Sequence, residues 1–293
     1  MELPINQKKT KAKKQTRFRM VMKSLSKKKS AMICLGFIVF LILLGIIAPY
    51  ITPYRFEIMD PANAMSPPSA EHLFGTDDYG RDIFSRLLVG IRYSLGLGFL
   101  APLVNISLGI IFGSLAGYYG GWVDNIIMRF MDILQAIPGM MLAILISATL
   151  GGGFWNTALA LGIGGIPAIT RLLRAQILTV RDMEYMEAAR AINCSKFRQI
   201  VNYILPNAIS PLIVAYTMGV GSIILSAASL SYLGLGIQAP LPEWGAMISG
   251  AKPYIRSSPY MIIFPGIFLA VTVIAINIFG DGLRDALDPK MKK

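Results

Sequence analysis

Ionisable side chains are few in this chain, and two groups of them fall close together. Glu184, Glu187, Arg190, Lys196 and Arg198 form one, and Asp124, Arg129 and Asp132 the other. Neither has the make-up of a catalytic centre. A serine or cysteine nucleophile needs a base beside it, and the one histidine, His72, stands far from both groups in sequence. With no Cys or second His near it, His72 reads as a solvated loop histidine rather than a metal ligand. Cys34 and Cys194 are the only cysteines, too few and too differently placed for a disulfide framework. No GxxxxGK[ST] phosphate loop occurs. The run Gly151, Gly152, Gly153 lacks the following Lys and Ser or Thr, and reads as a flexible turn. The expectation is a chain that is not an enzyme and holds no cofactor or metal. What remains for the first group is non-covalent chemistry, a polar segment that touches something.

The elements that must position these residues follow from composition. Hydrophobic residues make up 54% and charged residues 15%, with a mean hydropathy of +0.57, whereas soluble domains carry about 25% charge. An all-α integral membrane protein is expected. A bilayer core about 30 Å thick needs roughly 20 apolar residues per helix, and six spans are predicted at 31–51, 93–117, 125–149, 157–179, 208–232 and 259–281. The first 30 residues hold eleven Lys or Arg, and such residues stay on the cytoplasmic side. That choice makes 1–30 a basic cytoplasmic arm, 31–283 the six-helix domain and 284–293 a cytoplasmic tail. It puts residues 52–92 in an outer loop and residues 180–207 in the cytoplasm. The net charge of +12 is concentrated beside the membrane, where a basic arm attracts anionic lipid at about 1 kcal/mol per charge. Lipid is therefore the expected partner of that charge, not nucleic acid.

Within the spans, Arg129 and Asp132 near the inner end of span 3 read either as a neutralising structural pair or as part of a translocation pathway. Gly109, Gly113 and Gly117 recur at four-residue spacing and allow close approach of another helix, within this chain or from a second permease. Pro102, Pro138, Pro167, Pro211 and Pro265 are expected to interrupt their spans, which is tolerated where protein or a water-filled cavity accepts the freed backbone groups.

The polar segment YMEAARAINCSKFRQIVNYILP, residues 185–206, reads as two short amphipathic helices. Tyr185, Ala188, Ala189 and Ile192 share one face, and Phe197, Ile200, Val201 and Ile204 share another, with Lys196, Arg198 and Gln199 turned away. Asn193 between them suits a left-handed residue ending the first helix. Ser195 can cap the second, and Pro206 is expected to stop it. Two helices of about two turns are too short to be stable alone in water. Their apolar faces must lie on this chain's own membrane-side surface or on a soluble partner, which the small Ala188 and Ala189 would let approach closely.

EAARAINCSKFRQIVNYILP resembles the EAA loop of ABC importer permeases, matching at Glu187, Ala188, Ala189, Leu205 and Pro206 and departing at Asn193, where the family prefers Gly. HLFGTDDYGRDIFSRLLVGIRYSL (72–95), SYLGLGIQAPLPEWGAMI (231–248) and GDGLRDALDP (280–289) are similar to stretches of the C-type permeases of dipeptide, oligopeptide and nickel importers. The likeness runs over nearly the whole chain from residue 17. It implies the type I ABC importer permease fold with 185–206 as a coupling helix seated on an ATPase subunit. It also implies a B-type permease as heterodimer partner, two cytosolic ABC ATPase subunits carrying ATP and Mg, and an external solute-binding protein. On that basis the chain is expected in a bacterial or archaeal cell membrane as the permease of a peptide importer, with a nickel or nickel-chelate importer as the alternative. A stand-alone secondary transporter or channel is the rival of another class, and it leaves the polar loop unexplained.

The outer loop yields local expectations too. Thr76 or Asp77 can cap a helix start, and Asp82 with Arg86 has the spacing of an i, i+4 ion pair. The loop either braces spans 1 and 2 or meets the binding protein.

Overall fold

A computed structural model describes residues 17–287, with side chains described from residue 21 onward. The greater part of the basic arm, residues 1–16, and residues 288–293 of the tail lie outside the described residues. Every regular element among the described residues is helical.

Short α1 (Arg17–Leu25) leads into α2 (Lys29–Ile51), the first span. Long α3 (Ile83–Tyr119) follows the outer loop, then α4 (Gly121–Ala136), α5 (Gly139–Leu150) and α6 (Phe154–Arg181). The polar segment holds α7 (Glu184–Ala191), α8 (Lys196–Arg198), a π-helical turn at Gln199–Ile204 and α9 (Leu205–Ala208). The bundle closes with α10 (Ser210–Tyr232), the short α11 (Trp244–Ala251) and α12 (Tyr260–Leu287).

Five of these helices, α2, α3, α6, α10 and α12, are long and apolar enough to cross a membrane. The sixth expected span is the pair α4 and α5, bent by 84°. Span 3, expected over 125–149, is therefore broken at Pro138, as its proline led one to expect. Ile137 takes extended backbone angles, φ −93° and ψ 126°, because Pro138 crowds the helical conformation of the residue before it. The other prolines do less than expected. Pro102, Pro167 and Pro265 lie inside unbroken helices. Pro211 sits in the first turn of α10, where no N–H is required.

The second span begins ten residues before the expected 93, at Ile83. Arg86 and Arg92 lower the hydropathy there, yet Ile83, Leu87, Leu88, Val89 and Ile91 are buried. Arg86 is held by protein acceptors: its Nη1 donates to Phe56 O at 3.0 Å and Pro240 O at 3.3 Å, and its Nε lies 3.5 Å from Asp77 Oδ2. The expected Asp82–Arg86 pair is not formed. Asp82, rather than Thr76 or Asp77, caps α3 by accepting from Ser85 N at 2.7 Å. Its other oxygen lies 2.9 Å from Nδ1 of His72, so His72 is a half-buried partner of the cap and not a solvated loop residue.

The outer loop is tied inward. Thr76 is fully buried and its Oγ1 accepts from Ser66 N at 2.9 Å. Tyr260 Oη donates to Ser66 O at 3.0 Å, and Arg81 Nε donates to Asp77 Oδ2 at 2.7 Å. Burial and the neighbouring Asp77 hold the Asp78 carboxyl above the ordinary carboxylate range. These contacts brace the loop against α3 and α12.

The glycine repeat makes an internal contact. A Cβ on Gly113 would stand 2.9 Å from Thr170 O, and one on Gly117 2.8 Å from Ile177 Cβ. Only glycine lets α3 and α6 come this close. Elsewhere the core gathers Ile38, Leu41, Leu87, Ile91, Ile224 and Trp244 from α2, α3, α10 and α11. Glu243, buried, caps α11 by accepting from Gly245 N and Ala246 N at 2.9 and 2.8 Å. At the opposite end, Leu25 and Ala31 bury against Ala286, and Lys28 pairs with Asp285.

Candidate functional site

Segment 184–208 lies at the end of the bundle where α3 finishes and α6 leaves off. Its first turn forms as the residue types demand. Asn193 has φ of 57°, its N–H donates to Arg190 O at 2.9 Å, and Cys194 N donates to Ala189 O at 3.0 Å. Those two bonds are the paired closure of a Schellman motif, which needs a left-handed residue between them. The expected left-handed Asn193 is found.

Ser195 occupies the N-cap position of α8 with extended angles, but its side chain makes no capping bond. The expected helix ending at Pro206 is replaced by something else. α8 is only three residues long and passes into the π turn, in which Leu205 N reaches back to Ile200 O. Pro206 does not stop the chain but sits in the first turn of α9. A proline cannot donate to the carbonyl four residues behind it and crowds that carbonyl, and the wider π turn gives the ring room.

The faces differ from those expected. In α7 the buried residues are Met186 and Ala189, the latter 3% exposed. Glu187 and Ala188 are exposed. Only one of the two small alanines is therefore on the surface; the other seats α7 on its own protein. Ile192 and Phe197 are 73% and 77% exposed, and Met183 and Tyr185 are exposed beside them. The second apolar face is split: Phe197 and Val201 point out, while Ile204 is buried with Ile177, Met186, Ala208 and Leu212. Leu205 is half-buried and Pro206 exposed.

Gln199, read from sequence as outward, is 4% exposed. It accepts from Tyr118 Oη at 2.9 Å and donates through Nε2 to Cys194 O at 2.7 Å. The π turn rotates it inward relative to a regular helix. Pro206 followed by a helix that must continue into span 5 was the one sequence signal for such a turn. Charged residues complete the attachment: Arg181 Nη1 donates to Gly117 O at 3.1 Å and Arg190 Nη2 to Arg181 O at 3.0 Å.

Asp132 lies 3.7 Å from Arg129 but closer, 2.7 Å, to Arg171 of α6. Asp124 pairs with Arg174. The second ionisable group thus joins α4 to α6, with Arg129 at its exposed margin. No group of three or more His, Cys, Asp or Glu able to hold a metal occurs among the described residues.

A bundle of apolar spans with one broken helix and a short polar helical insertion at one end has the make-up of a multi-pass membrane protein. A family model described as "Binding-protein-dependent transport system inner membrane component" matches residues 109–293, and the chain belongs to that family. A second, "N-terminal TM domain of oligopeptide transport permease C", matches residues 16–68. The chain is 45% identical over 275 residues to the dipeptide transport system permease protein DppC of Alkalihalophilus pseudofirmus, covering 94% of this chain and 90% of that one. It is 44% identical over 257 residues to the glutathione transport system permease protein GsiD of Pectobacterium atrosepticum, covering 87% and 85%. In fold it is similar to a chain of the MetNI methionine ABC transporter in an inward facing conformation, with TM-score 0.56 and 20% identity over 70% of this chain and 98% of that one. It is thus a multi-pass inner membrane permease component of the ABC importer class.

Proposed function

We propose that the chain is the permease subunit of an ATP-driven peptide importer, and that segment 184–198 is where a cytosolic ATPase subunit docks. The observation that carries this is the exposure of Ile192 and Phe197, at 73% and 77%, on short helices at the end of the bundle. A segment of this length does not hold itself together in water, and large apolar side chains beside the charged Glu187, Arg190, Lys196 and Arg198 suit a protein groove better than solvent. In this assembly ATP and Mg belong to two ATPase subunits, a B-type permease completes the pathway, and an external binding protein delivers the peptide. The N- and C-terminal segments and the docking segment share the cytoplasmic side, in keeping with the basic residues around Arg17–Lys29. ATP binding closes the ATPase pair, the docking segments follow, and the paired permeases open outward. Asp132 and Asp124, tied to Arg171 and Arg174, act here as struts between α4 and α6.

Dipeptide and glutathione are the solutes named for the similar permeases, which favours a short peptide over a nickel chelate. Reconstitution into proteoliposomes with the B-type permease, ATPase subunits and binding protein tests the reading. ATP-dependent uptake of labelled alanyl-alanine or glutathione is expected. Uptake by this chain alone, driven by an ion gradient, would sink it in favour of a secondary transporter.

A further inference from the structure

Gln199 is a polar side chain in a place that must be kept dry or satisfied. A buried amide without partners is destabilising, and both ends of this one are used. Its Oε1 accepts from Tyr118 Oη at 2.9 Å, and its Nε2 donates to Cys194 O at 2.7 Å. Cys194 is the residue that closes the left-handed turn, through its N–H on Ala189 O at 3.0 Å. One side chain therefore fastens the turn between α7 and α8 to the last turn of α3.

We propose that Gln199 is a positioning residue that locks the docking segment to α3, so that displacement of the segment moves that helix instead of being absorbed in the loop. This rests on reading 184–198 as the ATPase docking site. Each of the last residues of α3 is engaged: Gly117 O accepts from Arg181, Tyr118 donates to Gln199, and the Lys196 ammonium lies 5.3 Å over the Tyr119 ring. Two of these contacts involve charged side chains that reach solvent, Arg181 at 28% exposed and Lys196 exposed, where screening weakens them; Gln199, at 4% exposed, is the most buried side chain of the three. What it holds is stiff. α3 runs 37 residues without a break and is packed on α6 at Gly113 and Gly117. Its far end is set by the Asp82 cap and by Arg86 on Phe56 O and Pro240 O. A site and a remote response are coupled when both bias one shared element, and α3 touches both ends of the molecule.

The test uses the complete reconstituted importer, with ATP hydrolysed per labelled dipeptide imported as the readout. Gln199→Met keeps the volume and removes both hydrogen bonds; Tyr118→Phe removes one hydroxyl. Both complexes should assemble with ATPase subunits at wild-type stoichiometry. Both should hydrolyse about three- to tenfold more ATP per peptide than wild type, the range that loss of one or two hydrogen bonds allows. The double variant should be no worse than Gln199→Met alone, because the two side chains act as one link. A purely structural role would lower thermal stability and leave the ratio unchanged. Should Gln199→Met fail to assemble, Tyr118→Phe decides by the same ratio. Wild-type ratios in the variants, with normal ATP-dependent uptake by wild type, would overturn the positioning role alone. Absence of ATP-dependent uptake in wild type would overturn the functional reading and this inference with it.

Discussion

Asn193 has a φ of 57°, in the left-handed region that glycine occupies most readily. Asn tolerates the left-handed region better than most side chains, whereas a β-branched residue there costs about 1–2 kcal/mol. Asn193→Gly is therefore expected to retain transport and Asn193→Val to lose coupling, with uptake and ATPase rate measured on the same vesicles. Both changes remove the amide, so the pair isolates the backbone requirement, and equal uptake by the two would show that no left-handed turn is needed. Ala188 and Ala189 separate just as sharply. Ala188→Trp adds bulk to the exposed face of α7 and should abolish co-purification of ATPase subunits while leaving the permease's own melting temperature within a few degrees of wild type. Ala189→Trp is aimed into the bundle, where Ala189 is 3% exposed. Overpacking of that kind costs about 1–3 kcal/mol, so this variant should melt lower even without partners. Matching melting behaviour in the two would show that the faces have been assigned wrongly.

Among the elements, the α3–α6 pair gives the most direct stability test. Gly113→Leu would push a side chain at Thr170 O and Leu173, the nearest atoms to its Cβ at 2.9 and 3.0 Å. A clear fall in thermal midpoint in detergent is expected. Gly219→Ala in α10, where a Cβ meets nothing within 4 Å, is the control and should not fall. The close packing was legible from the repeat of Gly109, Gly113 and Gly117, because small residues at that spacing have few other uses in a span. The spans themselves were legible from hydropathy, and the turn at Asn193 from residue type. The first turns of α3 were not, since Arg86 and Arg92 lower the hydropathy there and Arg86 looks like a loop residue until its acceptors at Phe56 and Pro240 are in place. The break at Pro138 was visible as a proline, but an 84° bend depends on what packs around it. The inward Gln199 was hidden for a related reason: helical periodicity assumes a constant rotation per residue, and the π turn changes it.

Across the whole molecule, buried hydroxyls such as Ser114, Thr170 and Thr272 are spread along the spans, whereas the buried charged and amide side chains described above gather towards its two ends. One end has Asp77, Arg81, Asp82 and Arg86 joining the outer loop to α3, and the other has Tyr118 and Gln199 joining α3 to segment 184–208. The middle of the spans is mainly apolar, and the charged and amide ties at the ends fix their relation to the loops. That division also explains why fold could be read further than site. Burial of apolar side chains follows from composition over many residues, whereas the ties that join separate elements depend on a single partner distant in sequence, as Tyr118 is from Gln199.

The π turn at Gln199–Ile204 also sets the chain's tolerance to changes in length. Relative to an ordinary helix it holds a surplus residue, and each residue of helix corresponds to about 100° of rotation. Loss of one position between Ile200 and Tyr203 would leave a chain that still inserts and still forms α10, but with Ile192 and Phe197 swung about a quarter-turn around the axis of that helix. An attached subunit would then approach from another azimuth. Related chains are thus expected to vary in length on either side of this stretch and to keep its residue count unchanged, because under the proposed docking this spacing would set the angle at which the two proteins meet.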